Sequence, residues 1–377
     1  MNRFRCGGCD GPLYFGNRQC LQCGRDAAYL PAARAMVTVD YEPAGSGPRP
    51  LHPLAAGTDW LHCCNRRPND VCFWLVEAAD HDVFCRSCRL SKLIPDLSNA
   101  THFKNWKKVE AAKQRLIHSL FDMGLPVDTP IPEVAPLTFH LLASAATAPV
   151  VTGHQDGRVT LDVAEADDAE RARRREALRE PYRTLLGHLR HEVGHFYWTV
   201  LAREASFLDG FRTLFGDEAV DYGRALKRHY ADGPPPGWRS TWITAYASSH
   251  PWEDWAECWA HFMHLSDAVQ TARSHGLSFR PPAAASQGGR ADDAPLGAGD
   301  LELPATTTRP LDGGALLRAW QPISLLVNDL NRAVGMPDAY PFVLSDRIRD
   351  KIVFVAEQAQ TLAAQFSLDS SRAHPTR

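Results

Sequence analysis

Residues 191 to 195 read His-Glu-Val-Gly-His, and no other segment constrains the chain as strongly. Two histidines four positions apart on an α-helix differ by only about 40° around its axis, so both imidazoles reach one metal ion. Glu192 follows the first histidine directly, where a carboxylate can take a proton from water activated on that metal. Tyr182, Leu185, Leu186, Leu189, Val193, Phe196, Tyr197, Val200 and Leu201 recur at helical spacing and predict a core stripe along the same helix. Gly194 costs that helix about 1 kcal/mol relative to alanine, which predicts a close-packed neighbour there.

His191 and His195 leave a catalytic zinc one protein ligand short. The segment from Ala245 to His264 is the best source of the third. Pro251 suits a first helical turn, and Glu253 and Asp254 suit the positive end of the helix dipole. Glu253 and Glu257 then share a face. Glu253 is assigned to the metal, and Glu257 to the shell behind it, where it fixes the tautomer of a ligand histidine. His250 is placed in the same outer shell, with an oxyanion donor, a second electrophile or a simply exposed residue as its alternatives. His188, one turn before His191, is read as a neighbour and not a ligand, and Trp252, Trp255 and Trp259 are expected to pack the helix.

The cysteines form an independent pattern. Cys6-x-x-Cys9 and Cys20-x-x-Cys23 flank a hairpin with turn signals at Gly11-Pro12 and Gly16-Asn17, the pattern of a four-thiolate zinc ribbon. Four thiolates saturate a tetrahedral zinc, so such a site is structural. A second set comprises Cys72, Cys85 and Cys88 with either Cys63 or Cys64. Spacing to Cys72 favours Cys64, which is taken as the ligand with Cys63 as the alternative. One catalytic and one or two structural Zn2+ ions are expected, and Cys258 is expected to be a packed thiol.

The His191 motif followed by the Glu253 helix resembles the gluzincin metallopeptidases. A closer resemblance covers most of the chain. Cys6-Gly-Gly-Cys9, Cys20-Leu-Gln-Cys23, Cys85-Arg-Ser-Cys88 with Ile94-Pro-Asp-Leu97, His191-Glu-Val-Gly-His-Phe-Tyr-Trp198, and Ser248-Ser-His-Pro-Trp-Glu-Asp-Trp-Ala-Glu257 resemble a bacterial family of zinc-dependent peptidases with an N-terminal zinc ribbon. The resemblance implies hydrolysis of a peptide or protein substrate. It offers Tyr246 as a candidate oxyanion donor, by likeness to the tyrosine of toxin-type gluzincins, and it favours Cys63 over Cys64.

Composition sets the remaining bounds. The 377 residues, 44% hydrophobic, suffice for two or three domains with a true core, and a formal charge of −3 argues against general polyanion binding. No run approaches the ~18 apolar residues of a membrane span, and Met-Asn-Arg-Phe-Arg-Cys is too polar for a signal peptide, so cytoplasmic residence is expected. The expected fold class is α+β, with a zinc ribbon at 1–30, a linker and second cysteine-rich module at 31–98, and a mainly helical zincin-like domain at 99–377 carrying a flexible insertion at about 280–314. Strands are predicted at Met36–Asp40, Phe73–Val76, Leu137–Leu142 and Val159–Val163, the last entered through a turn at Gly157, and helices at Asn99–Met123, Leu201–Tyr230 and Leu316–Phe366. A different class of function makes the ribbons the working part, binding protein or nucleic acid on a degenerate zincin scaffold. Arg3, Arg5, Arg18 and Arg25 supply some basic character, but the interleaved aromatics of a single-strand binder are absent.

Overall fold

A computed structural model of the chain describes residues 2–41, 47–145, 147–178, 184–278 and 312–373. Tyr182 and the expected insertion as far as 311 lie outside the described residues. Short strands build the first hundred residues: β1 (Phe4–Arg5), β2 (Pro12–Leu13), β3 (Ala27–Leu30), β4 (Ala35–Tyr41), β5 (Pro48–Pro50), β6 (Trp60–His62), β7 (Leu75–Glu77) and β8 (Ser91–Leu93). β1 pairs with β2, β3-β4-β5 form an antiparallel sheet, and β6 pairs with β7. The predicted strand at Met36–Asp40 is therefore present, whereas only the second half of Phe73–Val76 joins a ladder.

Helix α1 (Ala100–Asp122) follows, capped by Asn99, whose side chain accepts the N–H groups of Thr101 and His102. After it come β9 (Thr138–Leu142), β10 (Gly153–Gln155) and β11 (Arg158–Asp162). β10 and β11 form an antiparallel hairpin, and β9 lies parallel to both β11 and β8. Gly157 makes the hairpin turn at φ 75°, a conformation that costs glycine little. The four-stranded order β10-β11-β9-β8 means that the strand leading out of the cysteine-rich region is an edge of the later sheet.

The remainder is helical: α2 (Asp168–Leu178), α3 (Leu185–Leu201), α4 (Ala205–Leu214), α5 (Tyr222–Asp232), α6 (Pro251–Ser274), α7 (Gly313–Ala333) and α8 (Asp346–Ala373). The expected run from Leu201 to Tyr230 is divided into α4 and α5, because Gly216 turns the chain at φ 106° and Asp221 caps a new helix. Leu189, Val193, Phe196, Tyr197, Val200 and Leu201 are buried, the predicted stripe of α3.

The cysteine-rich region and the helices share one core. Tyr29 donates its hydroxyl to His118 Nδ1 of α1 at 2.9 Å, Phe15 stacks on the same imidazole, and Trp74 lies 4.2 Å from Tyr29. Lys113 of α1, fully buried, meets Glu110 at 2.9 Å and also bonds Ser91 of β8. On the other side, Lys351 of α8 donates to Asp254 Oδ2 at 2.6 Å and to the Thr241 carbonyl at 2.8 Å, with both charged side chains buried. Removing one member of such a pair leaves a buried charge. Lys351→Met is expected to destabilise the protein by about 3–5 kcal/mol, read as a lower urea midpoint at unchanged m-value.

Candidate metal centre

Helices α3 and α6 cross closely, and Gly194 is where they meet. A Cβ there would stand 3.0 Å from Trp259 Cβ and 3.1 Å from Ala256 Cα. This is the neighbour that the glycine predicts. Trp255 donates its indole N–H to the Gly194 carbonyl at 2.9 Å, and Arg190 pairs with Asp267 further along the same two helices. The crossing therefore holds the histidine motif against the Glu253 helix.

Three side-chain atoms converge there. His191 Nε2 lies 3.1 Å from His195 Nε2, and Glu253 Oε2 lies 3.0 Å and 3.4 Å from them. Bonds of about 2.0–2.1 Å around a tetrahedral zinc place neighbouring ligand atoms about 3.3 Å apart, so these three fit one face of that tetrahedron. All three residues are buried, and two imidazole nitrogens facing each other without a shared cation would be unfavourable. The donor set, two imidazoles and one carboxylate, could hold a metal ion and is one ligand short of a complete tetrahedron.

The surroundings hold these three side chains in place. His191 Nδ1 donates to Glu257 Oε1 at 2.7 Å, so Glu257 stands where it sets the tautomer of that histidine. Burial disfavours charge on His191, yet Glu253 and Glu257 together hold its pKa well above the ordinary value. Burial likewise opposes ionisation of Glu253, but His195 and His191 outweigh it and keep the carboxyl far below its usual range. His195 Nδ1 has no partner among the described residues, while Trp252 covers its ring at 3.8 Å between centroids. Tyr222, which carried no signal in the sequence, donates its hydroxyl to Glu253 Oε1 at 2.6 Å. It lies on a separate helix in a region without a motif, so only its own contacts with Glu253 and Trp252 of α6 identify it.

Glu192 is buried beside these three residues, with Oε1 at 3.2 Å from His188 Nε2 and Oε2 without a partner among the described residues. Burial pulls the pKa of His188 down, but the carboxylates of Glu165 and Glu192 raise it to about 9. Tyr246 sits 6.0 Å from the His191 ring, centroid to centroid, and burial pushes its phenol well above the ordinary range. A cavity of about 600 Å³ is lined by His191, Glu192 and Tyr246 together with Trp238, Trp242 and Phe342. Phe342 lies between α7 and α8, so the C-terminal segment helps wall this cleft.

Two expectations need correction. His250 has no ring nitrogen left for the site: it caps α6, with Nδ1 accepting the Trp252 N–H and Nε2 donating to the Val220 carbonyl, both at 3.0 Å. A histidine immediately before Pro251 is at the N-cap, and both ring nitrogens are spent there. In the second cysteine set Cys63, not Cys64, joins Cys72, Cys85 and Cys88. Cys63, just after β6, is buried and accepts the Cys85 N–H at 3.4 Å, whereas Cys64 begins the following turn and is exposed. Cys6, Cys9, Cys20 and Cys23 gather as a group too, and sulfur separations of 3.5 to 3.7 Å in the two sets approach the edge of about 3.8 Å for a zinc tetrathiolate. Cys258 is buried against Asp254, a packed thiol as expected.

An α+β chain with an N-terminal zinc-ribbon region and a helical part that brings two histidines and a glutamate to one point is of the ribbon-bearing metallopeptidase class. Residues 102–358 match the family described as "Putative zinc-binding metallo-peptidase", and residues 3–99 match a zinc-ribbon domain. The chain belongs to that metallopeptidase family. Proteins of Mycobacterium bovis and of two Mycobacterium tuberculosis strains, each described as uncharacterized, are 36% identical to it over 375 residues, covering 99% of either chain. No solved structure matches it. Among the described residues no helix is long and apolar enough to cross a membrane.

Proposed function

We propose that this chain is a gluzincin-type peptidase in which His191, His195 and Glu253 hold a catalytic zinc and Glu192 is the general base. The observation that carries the reading is the convergence of the three ligand atoms beside Glu192, whose Oε2 is buried and unpartnered among the described residues. A zinc ion bound there supplies Lewis acidity toward water and the substrate carbonyl. Glu192 Oε2 takes the proton of the attacking water and passes it to the leaving amine. Tyr246 donates its hydroxyl toward the oxyanion of the tetrahedral intermediate, and the peptide lies in the cavity that Trp238, Trp242 and Phe342 wall. Glu257 holds His191, and Tyr222 holds Glu253. The two cysteine groups, Cys6-Cys9-Cys20-Cys23 and Cys63-Cys72-Cys85-Cys88, bind structural zinc, and their thiols suit a reducing cytoplasmic setting.

Metal analysis together with a quenched-fluorescent peptide library tests this. Purified protein is expected to carry about three zinc ions per chain and to cleave members of the library, whereas the double variant His191→Ala/His195→Ala keeps about two and cleaves none. A wild-type protein with zinc at all three sites and no cleavage of any peptide would sink the peptidase reading.

A further inference from the structure

We propose that His188, held by Glu165, is a positioning residue for Glu192; this rests on Glu192 being the general base. His188 lies one turn before Glu192 on α3, and its imidazole stands between two carboxylates. Nδ1 donates to Glu165 Oε2 at 2.7 Å, and Nε2 reaches Glu192 Oε1 at 3.2 Å. Glu165 comes from the turn after β11 and is itself fixed: Thr152, just before β10, donates its hydroxyl to Oε1 at 2.8 Å. The chain Thr152, Glu165, His188, Glu192 thus ties the sheet to the helix that carries the motif. Thr152, Glu165, His188 and Glu192 all line the cleft.

The division of labour at Glu192 is the informative feature. His188 holds Oε1, while Oε2 is buried and has no partner among the described residues. A carboxylate held through one oxygen cannot rotate freely about its last bond, so the other oxygen keeps one direction. A general base needs its lone pair aimed at the water proton, and a misplacement of about 1 Å can cost 10²-fold. The pairing around His188 differs from a surface ion pair in that both carboxylates are buried and belong to different elements. Without the imidazole, Glu192 has freedom to turn toward the histidine ligands, where it would compete with Glu253.

The test uses the zinc-loaded full chain and the best-cleaved peptide of the library, with Glu192→Gln measured alongside. His188→Ala is expected to lower kcat at least tenfold with KM within about threefold and zinc content unchanged. His188→Ala/Glu192→Gln should be no slower than Glu192→Gln alone, because the first change acts only through the second residue. Glu165→Ala should also slow turnover, and Glu165→Gln should recover at least part of the loss. Its amide can donate to Nδ1 and leave Nε2–H for Glu192, so the hold on the base survives without the charge. If His188→Ala loses its zinc, the comparison of Glu165→Ala with Glu165→Gln decides: recovery supports the proposal, and equal rates for the two overturn it. His188→Ala at wild-type kcat with an inactive Glu192→Gln overturns the role of His188 alone. An active Glu192→Gln removes the general-base reading and this inference with it.

Discussion

Glu192→Gln is expected to keep the metal and lose about 10²–10⁴-fold in kcat. The amide has nearly the volume of the carboxylate, so the buried site beside His191 and His195 is not opened. What disappears is basicity at Oε2, the oxygen that no described residue engages. His188 constrains the outcome further, since it holds Oε1 and should orient the glutamine with its oxygen toward Nε2 and its amide nitrogen toward the substrate. A donor then stands where the reaction needs an acceptor. Zinc content by metal analysis and kcat on a library-selected peptide check the prediction together. Unchanged turnover with zinc retained would falsify the assignment of Glu192.

Cys63→Ser and Cys64→Ser should behave as opposites, although the two residues are adjacent. Cys63 is 1% exposed and gathers with Cys72, Cys85 and Cys88, which are 0%, 1% and 4% exposed. Losing one thiolate from a saturated site costs much of its zinc affinity, and in zinc-finger peptides that binding is worth about 10–16 kcal/mol of folding free energy. The damage should not stop at the ribbon. Trp74 packs on Tyr29 and on Phe121 of α1, and Tyr29 bonds His118, so the second zinc group supports the core that α3 and α6 also share. We expect Cys63→Ser to carry one zinc fewer and to unfold at a markedly lower temperature, with the helical signal lost in the same transition. Cys64→Ser, exposed and outside the group, should stay within about 0.5 kcal/mol of wild type. Thermal melts followed at a helical wavelength, paired with metal analysis, distinguish the two, and zinc lost from Cys64→Ser instead would reverse the assignment.

The corrections have a common physical origin. His250 and Cys64 are assigned from position along the chain, which says which residues are near, not which way they point. His250 precedes a proline that opens α6, where an N-cap uses the imidazole on backbone groups. Cys64 opens the short 3-10 turn after β6, where the strand's alternation no longer applies, and the turn leaves Cys63 buried and Cys64 exposed. Residue types with short-range rules are legible: the Gly157 turn and the close neighbour demanded by Gly194 each follow from a local conformational requirement.

What the sequence determined by itself is the set of groups with a fixed chemical offset: two histidines one helical turn apart with a glutamate between them, and paired thiols at the spacing of a metal knuckle. Their chemistry is local, so a single chain segment suffices to specify it. Tertiary structure alone decided what reaches them from elsewhere. Tyr222 on Glu253, the line from Thr152 through Glu165 and His188 to Glu192, and the core joining the cysteine groups to α1 depend on contacts between distant segments. Hydrogen bonds and packing of that kind are set by distance in space, and distance along the chain carries no record of them.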